Sequence, residues 1–158
     1  MKIKINSKAP NFKLPSTDGN IIELNKIKNK NIILYFYPKD DTPGCTLETR
    51  DFNSYYNKLK KLGCEIFGIS KDNIESHLRF KKKYYVKFDL LSDENKIVIK
   101  QFKVWGKKKF MGKEFMGLIR STFLIKDNNI LKEWRNIRVK GHAEEIYNFI
   151  KDSKSQVK

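Results

Sequence analysis

The sequence predicts an α/β domain in which strands and helices alternate. Residues 31–37, NIILYFY, form a continuous β-branched and aromatic run, as in a strand that is buried on both faces. Helical periodicity follows over residues 43–62, and a second apolar strand follows over residues 64–70. This order predicts two parallel neighbouring strands joined by a right-handed crossover, in a layered architecture.

The remaining segments extend this pattern on both sides. Residues 11–24 contain two short extended runs around the turn residues Asp18 and Gly19. The DNIE sequence at 72–75 resembles a capping box and opens a helix that ends near Tyr84. The other predicted elements are a short strand at 88–93, a weaker helix at 94–102, a hairpin at 120–136 with its turn at 127–129, and a helix at 141–152.

The chain is predicted to form a single domain over residues 1–158, with a core at about 9–150 and a short polar tail, because no repeat or linker divides it. No stretch approaches the ~20 apolar residues of a membrane span. The first residues lack the apolar segment of a secretory signal, so a cytoplasmic location without a membrane partner is expected. Two cysteines and two histidines without metal-binding spacing argue against a disulfide scaffold and against a structural zinc site.

The formal net charge of +16 raises the possibility of nucleic-acid binding. The lysines are spread over the whole chain, however, and arginine, which is preferred for base and phosphate recognition, is scarce. Abundant lysine, asparagine and isoleucine together with few alanines suggest the coding bias of an A+T-rich genome. No nucleic-acid partner is therefore predicted.

The segment FYPKDDTPGCTLETR, residues 36–50, places Cys45 at the start of the first long helix. Free backbone N–H groups and the positive end of the helix dipole stabilise a thiolate there, and a thiolate is the nucleophilic form of cysteine. Pro38 and Pro43 stiffen the preceding loop, and Gly44 permits a close approach to the backbone. By position alone, Cys45 could equally be a small buried apolar residue.

The surrounding motifs resemble one family closely. Pro38, Thr42 and Cys45 form the P-x-x-x-T-x-x-C pattern of the peroxiredoxins, and the longer run YFYPKDDTPGCTLETRDF is similar to the bacterioferritin comigratory, or peroxiredoxin Q, subfamily. The segments KLGCEIFGIS, SHLRFKKKY, FDLLSD, VWGKKKFMGKEFMGLIRSTFLI and VKGHAEE resemble that subfamily in the same order. The resemblance covers residues from about 9 to 150.

This resemblance implies a thioredoxin-like fold, with a central mixed β-sheet flanked by helices, and a thiol peroxidase activity. Cys45 is then the peroxidatic cysteine, Thr42 and Arg120 orient the peroxide and stabilise the thiolate, and Pro38 shields the pocket from water. Sequence spacing does not show that Arg120 reaches Cys45. Glu48 could hold an arginine in an ion pair or simply favour the first helical turn.

In the subfamily that this chain resembles, a resolving cysteine usually occupies one of two positions, and this chain has no cysteine at either. Arg50 stands five residues after Cys45, and the predicted helix that contains ESHLRFKKKY has no cysteine. Cys64 begins a predicted strand at the far end of a helix of roughly 25 Å, whereas a disulfide needs Cα atoms within about 7 Å. The sequence therefore predicts a one-cysteine mechanism without cofactor, in which thioredoxin, glutaredoxin or a small thiol reduces Cys45. The resemblance to the subfamily implies a monomer or weak dimer.

Several further residues have two interpretations. His77, on a lysine-rich helix face, and His142, at a helix start, are expected to be structural or surface residues. An aromatic and methionine cluster could line a pocket for organic hydroperoxides or form a core cluster beneath a long loop; it comprises Trp105, Phe110, Met111, Phe115 and Met116. Two rival functions remain: a thiol–disulfide oxidoreductase on the same fold, which normally needs a nearby second thiol, and a basic binding protein.

Overall fold

The computed structural model describes residues 7–156, so the outermost parts of the predicted domain lie outside the described residues. The strands are β1 (Lys13–Pro15), β2 (Ile21–Glu23), β3 (Asn31–Phe36), β4 (Cys64–Ser70), β5 (Asp89–Ser92), β6 (Trp105–Phe110), β7 (Lys113–Leu118), β8 (Ser121–Lys126) and β9 (Asn129–Arg135). The helices are α1 (Pro43–Ser54), α2 (Tyr56–Lys61), α3 (Ile74–Lys83), α4 (Ile97–Gln101) and α5 (His142–Gln156), with a short 3-10 turn at Leu24–Lys26.

The central sheet has five strands in the order β5-β4-β3-β8-β9. Strand β3 pairs in parallel with β4, as predicted, and antiparallel with β8, so the sheet is mixed. The side chains of β3 alternate between two apolar clusters: Ile32, Leu34 and Phe36 belong to one, and Ile33 and Tyr35 to the other. This alternation explains the continuous apolar run in the sequence, because both faces of the strand are buried.

Tyr35 holds α1 against the sheet. Its ring stacks on that of Phe52 at a centroid distance of 4.6 Å, and its hydroxyl shares a hydrogen bond of 2.9 Å with Thr49. A Cβ at Gly68 on the neighbouring strand would lie 2.8 Å from the Tyr35 ring, so only glycine leaves room for it. The sheet thus fixes the helix that carries Cys45.

The helices differ from the prediction in three details. The predicted helix over 43–62 is interrupted at Tyr55, whose N–H bonds to the carbonyls of both Asp51 and Phe52. Helix α3 is capped by Asn73 rather than by the residue before it, since the Asn73 side chain accepts a hydrogen bond from the Ser76 N–H. The polar tail predicted after about residue 150 continues α5 to Gln156.

Strands β6 and β7 form a hairpin that the sequence analysis did not predict. The expectation of a core cluster beneath a long loop is wrong for four of its five members, since they are exposed: Phe110 by 69%, Met111 by 87%, Phe115 by 47% and Met116 by 54%. Trp105, at the base of the hairpin, packs against the core. Within residues 7–156, no helix is long and apolar enough to cross a membrane.

Candidate active site

Cys45 lies at the N-terminal end of α1, beyond the carboxyl end of β3. Thr42 is the extended N-cap residue and Pro43 occupies the first helical position, so the helix begins where the turn chemistry of the sequence places it. Cys45 is the third residue of the helix, and its N–H belongs to the first turn, where N–H groups have no partner within the helix. The side chain is 1% exposed, which keeps water away from the sulfur.

Arg120 reaches this site from the segment between β7 and β8. One guanidinium nitrogen, Nη2, donates to the Cys45 sulfur at 3.4 Å, and the other, Nη1, donates to Glu48 Oε1 at 2.7 Å. The positive charge beside the sulfur stabilises a thiolate. A Cβ at Gly44 would lie 3.3 Å from Nη2, so this glycine leaves the space that the guanidinium occupies. The structure thus brings together two residues that are 75 positions apart.

Glu48 holds the other side of the guanidinium. Its side chain is 1% exposed, and Oε2 is a buried oxygen with no hydrogen-bond partner among the described residues. Burial raises the pKa of Glu48 to about 7, and the opposing effect of Arg120 is smaller. The hydrogen bond from Arg120 confirms the ion-pair interpretation of Glu48. Burial nevertheless disfavours the charged form of this carboxyl group.

The remaining predicted site residues, Thr42 and Pro38, line the loop before the helix. The Thr42 hydroxyl donates to the carbonyl oxygen of Lys39 at 2.8 Å, so its proton is not directed at the Cys45 sulfur. Its oxygen retains lone pairs that can accept a hydrogen bond. Pro38 directly follows Tyr37 at the end of the strand run and is half-buried.

Residues 5–134 match the model of the AhpC/TSA family. The chain belongs to this family. Peroxiredoxin Bcp of Bacillus subtilis is 44% identical over 153 residues, which are 96% of this chain and 98% of that protein. The match confirms the predicted family and the thiol-dependent peroxidase activity of the chain.

Solved peroxiredoxin structures agree with the fold of this chain. A mutant of Xylella fastidiosa PrxQ superposes with a TM-score of 0.90 at 33% identity, covering 98% of this chain and 99% of that one. The bacterioferritin comigratory protein of Xanthomonas campestris gives a TM-score of 0.84 at 34% identity, covering 90% and 91%. The predicted thioredoxin-like fold of the peroxiredoxins is thereby confirmed.

A buried polar network that was not predicted from the sequence supports the active-site loop of this peroxiredoxin. Asp40 accepts hydrogen bonds from the Tyr37 and Ser76 hydroxyls and faces His77 Nδ1 at 2.7 Å. The backbone N–H of Asp40 donates to Asp72 Oδ2 at 2.8 Å. The acidic loop residue is thus tied to α3 and to the end of β4. No local pattern in the sequence indicates this pairing.

The two histidines of the peroxiredoxin are both buried and hydrogen-bonded. His77 is fully buried rather than on an exposed lysine-rich face, and its Nε2 lies 2.9 Å from the Leu91 carbonyl oxygen. His142 shares a hydrogen bond of 2.8 Å with Thr122, and burial lowers its pKa. Ligand atoms of Asp40, Asp72 and His77 lie within 4.8 Å of one another, as a metal site requires, but hydrogen bonds within the network already occupy them.

The other thiol of this peroxiredoxin, that of Cys64, lies at the opposite end of the strands of the central sheet. Cys64 starts β4 and pairs with Asn31, the first residue of β3. Arg120 directly precedes Ser121, which pairs with Phe36, the last residue of β3. Five steps along a strand span about 16 Å. Cys64 is buried, as predicted, and neither cysteine is in a disulfide.

Proposed function

We propose that Cys45 is the peroxidatic cysteine and that Arg120 is its principal electrostatic partner. The contact between the Arg120 guanidinium and the Cys45 sulfur, at the N-terminus of α1, is the observation that carries this proposal. Glu48 holds the guanidinium in place through the hydrogen bond of 2.7 Å. Because the Arg120 guanidinium and the Cys45 sulfur are largely withdrawn from water, the positive charge of Arg120 acts on the sulfur with little screening.

The reaction follows from this arrangement. The Cys45 thiolate attacks the terminal oxygen of a hydroperoxide, a sulfur–oxygen bond forms, and the O–O bond breaks. Cysteine is oxidised to a sulfenic acid, and the peroxide is reduced to an alkoxide or hydroxide that takes up a proton to leave as alcohol or water. Arg120 and the free N–H groups of the first helical turn stabilise the charge that moves onto the leaving oxygen.

Thr42 and Pro38 complete the pocket in this proposal. Since the Thr42 hydroxyl donates to Lys39, its oxygen is left to accept the O–H of the hydroperoxide and to orient it. Pro38 shields the pocket from water. Hydrogen peroxide and organic hydroperoxides are the proposed substrates; an alkyl peroxide reduction activity is described for the Xanthomonas campestris relative.

The catalytic cycle closes with an external thiol. The position five residues after Cys45 holds Arg50 rather than a cysteine, and Cys64 lies at the other end of the strands from Cys45. A first thiol of thioredoxin, glutaredoxin or a small molecule condenses with the sulfenic acid and releases water. A second thiol then reduces the mixed disulfide and restores Cys45. This one-cysteine cycle needs no cofactor.

The proposed setting is the cytoplasm, with the protein as a monomer or weak dimer and without a nucleic-acid partner. The lysines are scattered along the chain, which supports a solvated surface rather than a nucleic-acid footprint. The reductant and the peroxide are then the principal partners of the active site.

Stopped-flow reduction of hydrogen peroxide by the pre-reduced protein tests the proposal. The native chain and the matched variant Cys64→Ser are expected to consume one equivalent of peroxide, while Cys45→Ser consumes none. A reaction no faster than that of free cysteine would refute the peroxidase role of Cys45. A Cys45–Cys64 disulfide in the mass spectrum would refute the one-cysteine cycle, and preferential reduction of a disulfide substrate would favour the oxidoreductase alternative.

A further inference from the structure

The β6–β7 hairpin exposes an apolar tip that the catalytic proposal leaves without a use. Among residues 7–156, these two strands form a sheet of their own, without a third strand beside them. Four exposed apolar side chains lie on the turn and on the strands beside it: Phe110, Met111, Phe115 and Met116. Clustered exposed apolar residues surrounded by polar ones mark an interaction site more often than single ones do.

The apolar side chains point to both faces of the hairpin. In the strand register Lys108 lies opposite Phe115 and Lys107 opposite Met116, and adjacent pairs face opposite sides of a two-stranded sheet. Met111 occupies the turn between the strands and is 87% exposed. A groove on a protein partner would cover one face of such a tip, whereas the interface of a bilayer surrounds it on both.

The charges around the tip select an anionic surface. Four lysines, Lys107, Lys108, Lys109 and Lys113, accompany one glutamate, Glu114, which leaves three positive charges on residues 107–116. The glutamate lies 3.7 Å from Lys109, an exposed ion pair with little effect on the net attraction. A second copy of a chain with net charge +16 would repel this tip rather than cover it.

We propose that the hairpin tip docks on the surface of an anionic phospholipid bilayer. Phe110 and Met111 enter the boundary between headgroups and acyl chains, and the surrounding lysines pair with lipid phosphates. Apolar side chains flanked by lysines bind membrane interfaces in this way, and basic residues near an anionic leaflet strengthen the binding. This departs from the sequence expectation that there is no membrane partner, because that expectation considered only spanning segments.

The docked tip brings the active site to the lipid surface. Strand β7 ends at Leu118, two residues before Arg120, and Lys108 lies close enough to Arg120 and Cys45 for their charges to alter its pKa, which burial lowers. Hydroperoxides of phospholipid acyl chains are the substrates that this placement favours. That assignment rests on the proposed function, whereas the docking itself does not.

Flotation with phospholipid vesicles tests the docking separately from the chemistry. The probe is the full chain with Cys45→Ser, mixed with vesicles of phosphatidylcholine alone or with phosphatidylglycerol. Binding is expected only to the anionic vesicles and is expected to weaken with salt. The paired change Phe110→Ser and Met111→Ser should lower the partition coefficient at least ~10-fold. Replacing Lys107, Lys109 and Lys113 with glutamine should lower it about 100-fold.

Matched controls make the outcome specific to the tip. Replacing Lys58, Lys60 and Lys61 of α2 with glutamine removes the same charge elsewhere, and Tyr85→Ser removes an apolar group that is 84% exposed. Equal losses in the control and tip variants, or no vesicle binding, would overturn the proposal. A higher KM for a protein reductant in the tip variants, without vesicle binding, would assign the tip to a protein partner instead. For the activity measurements, the tip substitutions are made in the chain that retains Cys45. Unchanged reduction of hydrogen peroxide in solution would then show that the tip variants fold.

Discussion

The buried carboxyl group of Glu48 should make the stability of this peroxiredoxin depend on pH. Burial raises its pKa from 4.5 to about 7, in spite of the ion pair with Arg120. A raised pKa means that the folded state favours the neutral carboxyl. Its stabilising contribution is therefore complete below the unfolded value of 4.5 and is lost as the pH rises through about 7.

The substitution Glu48→Gln removes this titration while keeping the size of the side chain and one hydrogen bond to Arg120. Each unit of pKa difference between the folded and the unfolded state corresponds to about 1.4 kcal/mol. The increase in the pKa of Glu48 from 4.5 to about 7 therefore amounts to about 3 kcal/mol. About 2.5 kcal/mol of this falls between about pH 5 and about pH 8. The unfolding free energy of the native chain minus that of the variant should decrease by this amount over the range.

Urea unfolding at several pH values measures this difference. Both proteins carry Cys45→Ser, so that oxidation of the thiol does not contribute. Glu94→Gln, which changes an exposed carboxylate, is the matched control and should not remove the pH dependence. A difference between the native chain and Glu48→Gln that stays constant with pH, or that increases with it, would refute this account of the buried carboxyl.

Three further substitutions test the site. A lysine in place of Arg120 cannot bridge Cys45 and Glu48, so Arg120→Lys should lower the rate of peroxide reduction about 100-fold in stopped flow. The control Arg138→Lys, at an exposed position, should keep the native rate. Equal rates for the two variants would contradict the role of the Arg120 guanidinium. Gly44→Ala places a Cβ 3.3 Å from the Arg120 Nη2 atom, and the same rate should fall about tenfold; a native rate would show that the guanidinium has room to move. Asp40→Asn leaves the hydrogen bonds around Asp40 incompletely paired and should lower the unfolding free energy by about 2–3 kcal/mol. A change within experimental error would mean that this network does not support the active-site loop.

The β6–β7 hairpin leaves no recognisable strand pattern in the sequence because its outer part has no buried face. Period-two alternation arises when one face of a strand packs on the core and the other meets solvent. The run WGKKKF lacks that alternation, since Lys107, Lys108 and Lys109 all project from a two-stranded sheet. Of the apolar residues that the sequence leaves to either a pocket or a core cluster, Trp105 packs against the core, whereas Phe110, Met111, Phe115 and Met116 are exposed.

His77 shows the opposite case. Its neighbours Arg79, Lys81 and Lys82 suggest a solvated helix face, yet its own side chain is fully buried. Burial of an imidazole requires hydrogen-bond partners, and these come from Asp40 and from the Leu91 carbonyl. Such partners arrive from separate segments, so no local window of the sequence could reveal them.

The sequence by itself determined the alternation of strands and helices, the turn before α1 and the position of Cys45 in the first turn of that helix. These features depend on residues that are near one another in the chain, through backbone preference and the burial of neighbouring side chains. Its family motifs also indicated the thioredoxin-like fold and the peroxidase activity.

Only the tertiary structure decided which groups surround the sulfur and which surfaces remain open. Arg120 comes to Cys45 because β8 pairs with β3 and sets the residue before β8 beside the start of α1. Glu48 became a buried carboxylate, and the β6–β7 tip became an exposed apolar surface, through the same packing. Contacts between distant segments depend on how the layers assemble, which local sequence patterns do not encode.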